Sequence, residues 1–240
     1  MSSIIIPGNV LSCAGVPDPD IAIEAVFLSV YLRFKANAFG QCVTSFEELS
    51  RILGHKSTAN NATWCKRQVL KVLTAISSSP EADGIHGLIS LSLPDNLEAT
   101  RTKTGFTLLV TPHSQYFGSG TYLNIQADTF QGIIEAALRS NISPAELFSY
   151  YSSICLRMYP IDYGTGQRTR GCWRYSQSIC QCSRISLVTY RKYRQILHDS
   201  NLMYFRPGRG RGSPVMFSLT NDTAAWAVIE EQMHRRELVG

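Results

Sequence analysis

The chain lacks any apolar run near the ~20 residues that a membrane-spanning helix needs. Its opening, MSSIIIPGNVLSCAGVP, has no basic segment ahead of the apolar residues and reaches Pro7 early, which argues against a signal peptide. Seven cysteines form an odd count without framework spacing, so reduced thiols in a cytoplasmic protein are the simplest reading. No two histidines are separated by a single residue, which excludes the metal site of a rolling-circle nickase. Walker A, HExxH and G-x-S-x-G patterns are missing as well. Cys172, Cys180 and Cys182, with His198 downstream, have a spacing that fits no common structural zinc site. His55, His86 and His113 stand alone in loop-like stretches. The expectation is a protein that is not an enzyme and takes no metal and no cofactor.

Acidic residues are nearly missing from one segment. Residues 161–212 hold ten Arg or Lys against Asp162 and Asp199 alone, whereas residues 1–120 balance nine against nine. That segment, at +8, exceeds the +5 of the whole chain. A cationic stretch without interspersed acids implies a polyanion-binding surface rather than a solvated face.

The chain does carry enough apolar residues, 44%, to build a packed core, and 240 residues fit one large domain or two small ones. Helical spacing of apolar residues predicts a helix over residues 20–36, capped by Asp18 or Asp20, and a second ending at Gly54. Thr44 with Glu47, or Ser45 with Glu48, forms a capping-box pattern before that second helix. A third helix runs to about Ile76, and GLISLSL and GFTLLVTP read as two strands. The later half repeats this order. YLNIQ reads as a strand, residues 127–139 and 143–159 as helices, and residues 160–173 as a long loop. SQSICQC and residues 186–200 are then helices, and LMYFR and PVMFSLT are extended runs around an Arg–Gly tract. TWCKRQVL and TYRKYRQIL occupy the same place in each half. Gly, Ser and Pro gather in PHSQYFGSG, which predicts domains over residues 1–115 and 116–240.

On a helical wheel, Tyr190, Tyr193, Ile196 and Leu197 gather on one side of the 186–200 helix. Opposite lie Arg184, Val188, Arg191, Gln195 and His198, flanked by Lys192 and Arg194. The earlier helix turns Asn60, Trp64, Arg67 and Lys71 outward. Arg reaches guanine, Asn and Gln reach adenine, and Lys reaches phosphate or base. For Trp64, stacking on DNA and covering by another protein surface both stand, and covering is the commoner fate of an outward tryptophan. The stripe of Trp226, Ile229 and Met233 near the C-terminus suits docking on the domain or on a partner helix, which leaves a homodimer open.

The stretch TYRKYRQILHDSNLMYFRPGRGRGSPVMFSLT resembles the winged-helix family of DNA-binding domains. A Thr-apolar start leads through a recognition helix to a polar turn at Asn201, and a Leu-apolar step enters a hairpin with a basic tip. Glycines let such a tip approach a backbone, and each arginine can pair with a phosphate. Gly212 leads to Ser213-Pro214 rather than to the Lys-Ser/Thr and helix of a P-loop. The resemblance implies an α+β, mainly helical fold of two winged-helix domains in tandem. It implies a sequence-specific binder of double-stranded DNA, similar to replication initiators of plasmids and mobile elements. Transcriptional repressors, partition-site binders and protein–protein adaptors share the architecture, and host replication or transcription proteins are the implied further partners. The expected contacts are Arg184, Ser186, Thr189, Arg191, Lys192, Arg194 and Gln195 on the helix, Arg206, Arg209 and Arg211 on the wing, and Asn60, Trp64, Arg67 and Lys71 in the first unit. No membrane role is expected.

Overall fold

The computed structural model describes residues 3–11, 21–56, 58, 60–77, 88–112, 121–164, 166–183, 185–208 and 212–237. It is a mixed helix-and-strand fold whose sheets are antiparallel. No described helix is long and apolar enough to cross a membrane. The chain divides into two compact units, Met1–Ser149 and Tyr150–Gly240.

The first unit opens with β1 (Ser3–Pro7) and a short α1 (Gly8–Leu11). Then come α2 (Ala22–Lys35), β2 (Gln41–Thr44), α3 (Phe46–Ile52), α4 (Ala62–Ser77), β3 (Ile89–Ser92) and β4 (Phe106–Pro112). The last strand lies between the other two, in the order β2-β4-β3. Strand alternation puts Cys42, Phe106, Leu108, Val110, Ile89 and Leu91 in the core. Cys65, Val69, Val72, Leu73 and Ile76 of α4 are buried too, as the wheel predicts.

Two further elements complete this unit, β5 (Tyr122–Gln126) and α5 (Ala127–Arg139), together with the start of α6 (Pro144–Cys155). β5 pairs antiparallel with β1, from Ser3 opposite Gln126 to Pro7 opposite Tyr122. Phe130 of α5 packs 5.3 Å from Phe27 and 5.4 Å from Phe34, and Phe148 of α6 packs 5.3 Å from Phe130. Those contacts lie within the first compact unit, which reaches Ser149. Residues 113–120, where the 115/116 boundary was drawn from composition, lie outside the described residues.

The second unit continues from α6 into β6 (Tyr159–Gly164), β7 (Gln167–Arg174), α7 (Ser176–Ser183), α8 (Leu187–Asp199), β8 (Tyr204–Pro207), β9 (Val215–Ser218) and α9 (Thr223–Glu237). Its sheet order is β6-β7-β9-β8, so the last strand again sits between the strand before the two helices and the strand after them. Two sequence expectations are corrected here. The helix expected to reach Tyr159 ends at Cys155, and the expected loop at 160–173 is a hairpin. Asp162 opposes Arg168 across that hairpin, their ion pair is 2.9 Å, and Ile161 is fully buried beneath α9. Pairing with β9 and cover from α9 override the loop-like Gly, Thr and Arg composition.

Three helices stop by one device. Gly54, Asn141 and Asn201 have φ of +85°, 53° and 56°, and each is followed by an N–H that bonds five residues back. His55 reaches Ser50, Ile142 reaches Ala137, and Leu202 reaches Leu197. These are Schellman closures, which need a residue tolerant of the left-handed region.

Candidate nucleic-acid interface

Ser186 sets the start of α8. Its side chain accepts from the Thr189 N–H at 3.1 Å, and the two hydroxyl oxygens lie 2.9 Å apart. Both residues therefore serve the helix cap first. Along the inner side, Tyr190, Tyr193 and Leu197 are buried, with Tyr190 edge-on to Tyr150 at 5.8 Å. This inner row fixes which residues face out.

The outer row is Leu187, Val188, Arg191, Lys192 and Gln195, all exposed. Arg191 and Lys192 have no ion pair or hydrogen bond among the described residues. Gln195 donates to Asp199 Oδ1 at 2.7 Å, and Asp199 is the acid that closes the stripe at its C-terminal end. Adjacent Arg and Lys on a solvent-facing surface, with no acid in the turns before them, give this end of α8 a positive potential.

Arg194 is placed otherwise than the wheel suggests. Its guanidinium Cζ lies 4.0 Å from the Phe205 ring centre and 5.4 Å from that of Tyr190, and its Nε is buried without an acceptor among the described residues. It is a cation–π link between α8 and β8 rather than a free hand for phosphate. His198 adds to the same seam, 5.2 Å from Phe205 and 5.7 Å from Tyr204. The hairpin thus does lie beside the helix.

Arg206 faces the other side of the sheet. Phe205, Phe217 and Cys172 align across the strands on the α8 side, while Arg206, Met216 and Trp173 align on the opposite side. There Arg206 Cζ lies 4.7 Å from the Trp226 ring of α9. Arg184, Arg209 and Arg211 lie outside the described residues. Other cations of the basic segment are held locally. Arg168 pairs with Asp162, Arg170 donates to the Met158 carbonyl, and Arg174 donates to the Tyr159 hydroxyl and to the Trp173 carbonyl.

In the first unit, Asn60 in the turn before α4 and Trp64, Arg67 and Lys71 along the helix are all exposed. Trp64 is 50% exposed and meets the His55 ring edge-on at 5.5 Å. The outer face of this unit's sheet also leaves Val43 and Leu109 exposed, with Phe39 in the turn before β2.

The thiols divide by burial. Cys172 and Cys155 are deep in the second unit, where loss of solvent pushes each up to about 12. Cys182 is exposed, and Arg157 Nη2 donates to its Sγ at 2.8 Å. Among the described residues no three His, Cys, Asp or Glu side chains gather into a metal-holding group. Sequence reasoning missed the Arg194 and Arg206 stacks. The aromatic partners were visible as residues, but only the sheet register brings them into reach. Compared with known proteins, the chain matches no family model and no curated sequence.

Proposed function

We propose that the chain is a sequence-specific, non-catalytic binder of double-stranded DNA built from two winged-helix units. The observation that carries this reading is the outer row of α8, where Arg191 and Lys192 stand unpaired among the described residues beside a hairpin that leads to Arg209 and Arg211. Support also comes from the repeated layout. In each unit a strand, two helices and two further strands fold so that the final strand inserts between the other two. The second of those helices is α4 in one unit and α8 in the other, and both turn polar residues outward.

In this reading α8 lies in a major groove, with Arg191 and Gln195 nearest the base edges and Lys192 on phosphate. Breaking the Gln195–Asp199 hydrogen bond frees the amide for adenine. Tandem units gripping repeated sites fit a replication initiator of a plasmid or mobile element, and the same chemistry serves a repressor or a partition-site binder.

Fluorescence anisotropy with duplexes selected from a random pool tests the reading. Binding should fall steeply between ~50 and ~200 mM salt, and Lys192→Ala should reduce the log–log salt slope by about one. Arg191→Ala should relax preference at one base pair, by about 1–3 kcal/mol. An isotherm insensitive to salt and to both changes overturns the groove assignment. A second reading, protein docking by the first unit, is favoured by the exposed Trp64, Phe39, Val43 and Leu109. Salt-independent capture of a partner, lost in Trp64→Ala, would mark it.

A further inference from the structure

The geometry points to Leu187 and Val188 as a reader of thymine methyl groups, a role that rests on the duplex-DNA reading above and narrows its target. Val188 is 76% exposed and Leu187 47%, although they begin a helix whose inner face is packed with aromatic rings. Among the described residues the cap is made by Ser186 and the core contacts of α8 by Tyr190, Tyr193 and Leu197, so neither task falls to Leu187 or Val188. The apolar surface left in water at the first turn, most of Val188 and about half of Leu187, leaves burial energy unused.

A recognition helix brings its N-terminal residues to the base edges. The thymine C5-methyl is the one methyl group that the bases present in the major groove, among hydrogen-bond donors and acceptors. Val188 lies three residues before Arg191 and four before Lys192, so these three share one face of α8. Three residues of helix advance ~4.5 Å, close to the ~3.4 Å rise between base pairs. Val188 on a thymine methyl therefore leaves Arg191 within reach of a guanine one or two steps away. The target half-site should contain a thymine near a guanine, and the methyl should matter by itself.

Replacing thymine by uracil removes that methyl and leaves base pairing intact, which gives a direct test with the full chain. Duplexes selected from a random pool are resynthesised with uracil at each thymine in turn, and affinities are read by anisotropy. One or two positions should lose about fourfold, the worth of one buried methyl. Val188→Ala, with Leu187→Ala as a second variant, should bind thymine and uracil duplexes alike at those positions. Arg191→Ala should keep the methyl dependence while losing guanine preference. Circular dichroism melting checks that the variants stay folded, which the exposure of both side chains leads one to expect. The assignment is overturned if no thymine responds, or if the response survives in both apolar variants. A pool that yields no bound duplex removes the DNA reading itself, and this differs visibly from a duplex that binds without regard to its methyls.

Discussion

Glu48 gathers three donors at once. Tyr31 donates from its hydroxyl at 2.6 Å, Thr44 at 3.0 Å, and the Lys35 ammonium closes on the same carboxylate. Partial burial works to raise the Glu48 carboxyl, but the bonds from Lys35, Tyr31 and Thr44 outweigh it and hold the group below its ordinary 4.5. Burial and the same carboxylate push the Tyr31 phenol far upward. A carboxyl lowered on folding stabilises the native state fully above its unfolded value and loses that contribution as pH falls through the folded one. Glu48→Gln should therefore cost about 1–3 kcal/mol near neutral pH. The gap should narrow as pH falls below the ordinary carboxyl value of 4.5, a trend that urea unfolding across the range would read. A gap that stayed constant with pH would contradict the account. Half of the capping-box pattern at this residue was legible: Ser45 does accept from the Glu48 N–H at 3.2 Å. The carboxylate does not return to the cap because α2 supplies stronger donors, and no local pattern announces them.

At the scale of elements, helices were easier to read than strands for a physical reason. A 3.6-residue period writes itself locally, so α5 matches its expected range of 127–139 and α8 falls within a residue of its own. The β6–β7 hairpin and the β1–β5 pair depend on partners elsewhere, and Gly, Thr and Arg look like loop until β9 and α9 are in place. The candidate site divides the same way. Arg191 and Lys192 face out as the wheel dictates, whereas Arg194 and Arg206 were captured by Phe205 and Trp226. Helix α9 docks against its own sheet, with Trp226, Ile229 and Met233 buried beside Ile161 and Met216. The seam that sequence left open to a partner helix is thus filled within the unit. Its closeness can be tested at Gly171. A Cβ there would stand 2.5 Å from Ile229 Cδ1 and 3.1 Å from the Phe217 carbonyl oxygen. Gly171→Ala should destabilise the protein by about 1–3 kcal/mol. Pairing it with Ile229→Ala should recover part of that loss beyond additivity, as thermal melts of the single and double variants would show.

Taken as a whole molecule, the chain distributes its charge and its apolar surface unequally. The segment from 161 to 212 holds the positive excess, whereas the first unit carries ten Lys or Arg against twelve Asp or Glu. The second unit's sheet is covered by α9, whereas Val43 and Leu109 lie bare on the sheet of the first. Two structurally parallel halves thus offer different chemistry to their surroundings. The buried sulfurs give each half its own timer. Cys42 and Cys65 sit in the core of the first, Cys155 and Cys172 in that of the second, while Cys182 meets solvent. An alkylating reagent should mark Cys182 at once and reach the other four only when their surroundings open. Mass spectrometry of the labelled peptides over hours would then rank the two halves by how often each one breathes. Early labelling of Cys172 or Cys155 in undenatured protein would contradict the packing described. The protein carries, in ordinary side chains, a record of which half yields first.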